Sequence, residues 1–280
     1  MQSVHLRHEG LTAYWTPKSA CSVVRQMIYA VHPEDMLRRV QIGRQHHEIH
    51  KDYAPSPSNR LPGFYVVRHP YIRVISMYTN SLITNRQDGH FYKIMGDGTP
   101  KTFRNFCLYL NRLNARGLLA HSNIHFQLQS AGSPHLDGSP PNWEKIVVIR
   151  MEDGDLGGLL TDAYRQLLGS SFTPQLEQRL TQFFAALQKG DVPSNTSGRS
   201  KVSQPNAINC ELSAPFPPYA DFIDNELIGI IQRIYSSDYQ RLGYEFGRKS
   251  LQEAIEAFTM LSDARMAAVR DARTAHPQHG

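Results

Sequence analysis

Two short runs of the 280-residue sequence combine cations, hydroxyls and small residues at spacings that suit the holding of phosphate-type groups. The first is Pro17-Lys18-Ser19-Ala20-Cys21-Ser22. It follows a β-prone stretch, Leu11 to Thr16, and precedes Val23, Val24, Met27, Ile28 and Val31, whose spacing predicts a helix ended by Pro33. Small side chains let backbone N–H groups approach an anion closely, and a helix N-terminus adds partial positive charge. Lys18 adds a full charge, and Ser19 and Ser22 add hydroxyl donors. The second run is Val66-Val67-Arg68-His69-Pro70-Tyr71-Ile72-Arg73-Val74-Ile75-Ser76-Met77-Tyr78. Arg68 leaves an uninterrupted apolar stretch from Gly63, the pattern of a buried strand. Ser76 lies eight positions on, inside the helix that Ile72, Ile75, Tyr78 and Leu82 predict. A guanidinium at a strand end and a hydroxyl two turns into a helix can close on one phosphate, because the planar arginine fork meets phosphate oxygens bidentately.

The elements that must position these runs alternate. Strands are predicted at 11–16, at 39–43, at 63–67 and at 145–150, and helices at 22–32, from 72, from 103 to 113, at 155–168, at 174–189 and from 222 to 234. Such alternation implies an α/β fold, a P-loop-like three-layer sandwich with a central, mainly parallel sheet flanked by helices. Ligands of such sheets bind at the carboxyl ends of strands, where both runs fall. Residues 190–218, rich in Pro, Ser and Asn, read as a long loop or lid. One domain is expected over 1–248, followed by a helix and flexible tail over 249–280. Thirty Lys and Arg against 25 acids leave a net charge of +5, which suits an anionic ligand without naming it. No apolar run is long enough to cross a membrane and the N-terminus lacks a signal-peptide core, so a cytoplasmic protein is expected. The three cysteines are scattered and form neither a disulfide framework nor a metal knuckle.

No glycine lies between Leu11 and Ile42, which excludes a Walker A motif and disfavours an ordinary kinase. The first run instead resembles the 5′-phosphosulfate loop of sulfotransferases that use PAPS (3′-phosphoadenosine 5′-phosphosulfate). Its Ala20-Cys21-Ser22 is similar to the Golgi carbohydrate branch, P-K-[SVT]-A-C-[ST], more than to the cytosolic P-K-S-G-T-T-W, and Val23 replaces the cytosolic tryptophan. The second run resembles the family's 3′-phosphate motif, R-[DH]-P-[FY]-x-R-x-x-S-x-Y, at every specified position. The two occur in family order, about 50 residues apart. Segments 123–130, 149–153 and 234–244 are also similar to the carbohydrate branch, more weakly. The resemblance implies a PAPS donor, PAP as product, a hydroxyl acceptor of carbohydrate type and no metal. It implies a 5′-phosphosulfate loop of Pro17, Lys18, Ser19, Ala20, Cys21, Ser22 and Val23, and a 3′-phosphate site of Arg68 and Ser76. The cytosolic R-K-G-x-x-G motif and its dimerisation signature are absent, so no oligomeric state follows.

Sulfuryl transfer needs a base for the acceptor proton and a cation for the leaving phosphate, the part suited to Lys18. Histidine titrates near neutrality. His47 is the first candidate base and His46 the second, since relatives with a histidine base carry it at this point in chain order. His125, Glu48 and Glu152 are alternatives. His46 and His50 have metal-ligand spacing as well, but no metal is expected. Arg199 and Lys201, in the lid segment, can close on the 3′-phosphate or adenine, and Arg73 can bridge acidic residues. The competing readings are a divergent P-loop small-molecule kinase and a non-catalytic module binding nucleotide or anionic glycan. No nucleic-acid motif is present.

Overall fold

The computed structural model of the chain describes residues 2–6, 9–32, 61–79, 95–96, 98–122, 125–131, 143–189, 202–212 and 216–275. In chain order the main elements are β1 (Gln2–Leu6), β2 (Leu11–Trp15), α1 (Cys21–Val31), β3 (Gly63–Val67), α2 (Pro70–Met77), α3 (Phe103–Ala115), β4 (Ile146–Arg150), α4 (Leu156–Leu168), α5 (Pro174–Lys189), α6 (Asn225–Ile234), α7 (Ser236–Leu242) and α8 (Arg248–Ala275). The chain divides into two compact units. Met1–Val67, Ala131–Asn195 and Ala257–Gly280 form the first, and Arg68–Ser130 and Thr196–Glu256 the second.

The first unit holds a four-stranded sheet in the order β1-β2-β3-β4. β2, β3 and β4 run parallel and β1 is antiparallel to β2. With helices flanking it, this is the expected α/β architecture. The strand β1 was not anticipated, although Val4 and Leu6 alternate with polar neighbours and both are buried. A turn at Gly10, φ 65°, returns the chain into β2. Every residue of β3 is buried, as its unbroken apolar run implied, and every residue of β2 is buried as well, Thr12 included. Leu11, Ala13 and Trp15 of β2 and Phe64 and Val66 of β3 join one core with Val24, Met27 and Ile28 of α1, Leu160 and Tyr164 of α4 and Leu180 of α5. Tyr14 and Tyr65 meet edge to face at 6.2 Å. Gly63 is required where the strands close up, since a Cβ there would lie 2.1 Å from the Thr12 carbonyl oxygen.

The far end of α1 is tied down. Buried His32 bonds Glu9 Oε1 through Nδ1 at 3.0 Å and the Tyr164 hydroxyl through Nε2 at 2.6 Å. Arg179 of α5 donates to the Val31 carbonyl at 3.0 Å. The near end of α1 carries the Lys18 run.

The second unit packs α2, α3 and α6 around aromatic side chains. Phe103 lies 5.1 Å from Phe222 and 5.4 Å from Tyr78, both edge-on. The Tyr71 hydroxyl donates to the Phe222 carbonyl at 2.6 Å. The helix expected from Phe222 begins instead at Asn225, because Asp224 accepts from the Leu227 amide at 3.0 Å and caps it. Phe222 falls in a preceding 3₁₀ turn, Tyr219–Phe222. Strand 39–43 and much of the lid segment lie outside the described residues. Among the described residues no helix is long and apolar enough to cross a membrane.

Candidate active site

β2 ends at Trp15 and hands the chain to a tight turn over 17–20 that leads into α1. The turn is built by two non-glycine residues in the left-handed region, Lys18 at φ 70° and Ala20 at φ 51°. Each such residue costs of order 1–3 kcal/mol, and such strain concentrates at ligand clamps. Buried Ser19 stitches the turn together: its amide donates to the Thr16 carbonyl at 3.2 Å, and its Oγ accepts from Thr16 Oγ1 at 3.1 Å. Pro17 is buried and Lys18 is half-buried. Cys21, Ser22 and Val23 form the first turn of α1, whose amides have no intrahelical acceptors. Ala20 sits at the N-cap and brings no side chain to cap them, and no acid occupies the first turn. A helix start with small side chains and uncapped amides fits an anionic group supplied by a ligand.

In the second unit, Arg68 follows directly on β3 and is 5% exposed. Its Nη1 donates to Ser76 Oγ at 2.7 Å, so the residues eight positions apart do close on each other. A third group joins them. Tyr219 accepts from Arg68 Nη2 at 3.0 Å, its hydroxyl lies 3.4 Å from Ser76 Oγ, and its ring lies 5.4 Å from the guanidinium carbon. Tyr219 escaped the sequence reading. Its only signal is Pro217-Pro218, a rigid approach to the turn that carries it.

The backbone of Arg68 is clamped as tightly as its side chain. Gln129 Oε1 accepts from the Arg68 amide at 3.1 Å and Gln129 Nε2 donates to the Arg68 carbonyl at 2.8 Å. Gln129 is itself held by Asp238 of α7, which accepts from the Gln129 amide at 2.9 Å and the Ser130 amide at 2.7 Å. Burial pushes the Asp238 carboxyl upward, against the opposing pull of Arg73 and these amides. Arg73, expected to bridge acids, donates to the carbonyls of His125 at 3.0 Å and Gln127 at 2.8 Å. Segment 125–130 is therefore gripped through its carbonyls by α2 and through its amides by α7.

His69 caps α2. Its Nδ1 accepts from the Tyr71 amide at 3.3 Å, Pro70 takes the first helical position, and the ring stands edge-on to Tyr239 and Tyr244. Burial pushes its pKa down to about 3, so the folded protein holds it neutral. The unfolded chain binds that proton near pH 6.5, so stability is lost as pH falls from about 6.5 toward 3. His69→Asn keeps a capping acceptor and removes the titration. In urea unfolding it will lose less stability than wild type below pH 6.5, by about 1.4 kcal/mol per pH unit. Parallel pH profiles would contradict this assignment.

His125 is half-buried in the second unit and Glu152 is 9% exposed in the first. His46, His47, His50, Glu48, Arg199 and Lys201 lie outside the described residues. Among the described residues no group of His, Cys, Asp and Glu is arranged to hold a metal ion.

A sulfotransferase family model matches residues 4–152, more than half of the chain. No curated protein and no solved structure gives a significant match. The matched segment contains the Lys18 turn, strands β2, β3 and β4 with the end of β1, and Arg68 with Ser76 and Gln129. On this match the chain belongs to the sulfotransferase family.

Proposed function

We propose that the protein transfers the sulfuryl group of PAPS to a hydroxyl of a carbohydrate acceptor. The observation that carries the reading is the closure of Arg68 on Ser76 at 2.7 Å, a guanidinium and a hydroxyl gathered for one phosphate. PAPS and PAP differ from ordinary adenine nucleotides in their 3′-phosphate, and Arg68 and Ser76 are its ligands. The loop Pro17 to Val23 receives the 5′-phosphosulfate through its amides, through the Ser19 and Ser22 hydroxyls and through Lys18. Arg199 supplies a further contact to the nucleotide. The acceptor oxygen bonds to sulfur as the bond from sulfur to the bridging phosphate oxygen breaks, and that oxygen keeps the electron pair beside Lys18. The acceptor proton passes to His47, with His46 as the second candidate. No metal enters this scheme. The carbohydrate acceptor rests on the likeness of Ala20-Cys21-Ser22 to the carbohydrate branch.

Calorimetry with PAP and with ADP tests the donor assignment. PAP will bind tightly and ADP weakly, and Arg68→Ala will weaken PAP by about 100-fold or more, the loss of charge-assisted bonds to a phosphate. Equal binding of the two nucleotides, or of neither, overturns the reading.

A further inference from the structure

We infer that Tyr219 is a third ligand of the 3′-phosphate, and that with Arg68 and Ser76 it completes a set of three donor groups for the three outer oxygens of a phosphate monoester. This rests on the PAPS reading for the ligand's identity, whereas the gathering of the three side chains stands on distances within the second unit alone.

The three groups form a closed triangle. Arg68 Nη1 donates to Ser76 Oγ at 2.7 Å, Arg68 Nη2 donates to the Tyr219 hydroxyl at 3.0 Å, and the two hydroxyl oxygens lie 3.4 Å apart. Both hydroxyls therefore accept from one guanidinium. Only one hydroxyl proton can lie between them, so at least one is directed to an acceptor outside the triangle. A hydroxyl that accepts from a cation is polarised and donates more strongly. A phosphate monoester presents three strong acceptor oxygens and nearly two negative charges. Arg68 and Ser76 offer it one cation and one hydroxyl, and Tyr219 adds a hydroxyl for the remaining oxygen.

The position of Tyr219 is fixed by the protein itself. Pro217-Pro218 leads into the 3₁₀ turn Tyr219–Phe222, where the Asp221 amide donates to the Pro218 carbonyl at 3.2 Å. Phe222 is 0% exposed, and the Tyr71 hydroxyl donates to its carbonyl at 2.6 Å. The turn that carries Tyr219 is thus tied to α2, the helix that carries Ser76. On the turn's outer side Asp221 accepts from Ser203 Oγ at 2.9 Å and from the Gln204 amide. The Tyr219 ring lies 5.4 Å from the guanidinium carbon, a cation–π contact separate from the hydroxyl bond. One substitution can therefore remove the hydroxyl and leave the ring.

Calorimetry on the full chain with PAP and with adenosine 5′-monophosphate tests the role, because the two differ only in the 3′-phosphate. Tyr219→Phe will bind PAP about 10- to 100-fold more weakly, the loss of one hydrogen bond to a charged group, and adenosine 5′-monophosphate within about twofold of wild type. Unchanged PAP affinity overturns the inference. Equal losses for both nucleotides also overturn it and make Tyr219 a support of the second unit. If Tyr219→Phe does not fold, replacement of Tyr219 by 3-fluorotyrosine, which keeps ring and hydroxyl, carries the same comparison. Its single fluorine resonance will move with PAP and stay in place with adenosine 5′-monophosphate. A resonance that PAP leaves in place, or that both nucleotides move alike, overturns the inference. If wild type binds PAP no better than adenosine 5′-monophosphate, the PAPS reading fails and inorganic phosphate decides the rest. Thermal stabilisation by phosphate that Tyr219→Phe abolishes upholds Tyr219 as an anion ligand. No stabilisation, or stabilisation that survives the substitution, overturns it.

Discussion

Lys18→Ala will slow PAP release from PAPS by about 10²–10³-fold, the scale of losing one preorganised charge aimed at a transition state. PAP affinity will fall much less. The asymmetry follows from when the charge appears. PAP lacks the sulfuryl group, so the ammonium contributes to its binding only as one cation among several donors. During transfer the bridging oxygen gains charge as the sulfur leaves it, and an ammonium held there acts on the barrier itself. The fold holds Lys18 at φ 70°, a conformation that an L residue adopts at a cost. That strain allows a clean control. Lys18→Gly removes the amine and relieves the backbone, whereas Lys18→Ala removes the amine and leaves the strain. Both variants losing turnover alike places the effect in the ammonium. Turnover retained in Lys18→Gly alone would assign Lys18 to the shape of the turn, and the charge would have to be sought elsewhere. The readout is single-turnover PAP formation with a carbohydrate acceptor chosen by screening.

The parts of this molecule legible in the sequence are those fixed by local pattern. Strand β3 is an unbroken apolar run because the sheet buries it from both sides, and β2, β3 and β4 lie within one residue of their expected ends, although Val147 and Val148 of β4 are only half-buried. Helices α1, α3, α4 and α5 likewise announce themselves through one apolar stripe each. The Arg68 to Ser76 closure was legible because strand end and helix fix its span within one short segment. What escaped depends on residues far apart in sequence. Tyr219 reaches Arg68 across 151 positions and Asp238 reaches Gln129 across 109. No periodicity carries such a pairing. Asp238 is a fully buried carboxylate within a helix of polar appearance, Ser236 to Leu242, and its environment comes entirely from tertiary packing.

Asp238→Ala will cost about 2–6 kcal/mol in denaturant unfolding, the range for leaving two buried amides without an acceptor at about 1–3 kcal/mol each. Asp238 and Arg73 are both 0% exposed. Removing the carboxylate leaves the amides of Gln129 and Ser130 without their buried acceptor and takes away a negative charge near Arg73. Asp238→Asn keeps one side-chain oxygen at the same place, so it will cost less, about 1–3 kcal/mol. The consequence reaches the site through Gln129, whose amide side chain holds both the N–H and the carbonyl of Arg68. When the Asp238 bonds go, Gln129 loses its seat, and the guanidinium loses the fixed backbone that aims it at Ser76. Folded Asp238→Ala and Gln129→Ala protein should therefore share a weakened affinity for PAP, measured where both are fully native. Their affinity for inorganic pyrophosphate, which needs only the Lys18 loop, should stay at the wild-type value. A loss of stability with PAP affinity intact would make the Asp238 clamp a support of the second unit alone. Loss of PAP binding in both variants, with pyrophosphate binding kept, would make it the device that orients Arg68.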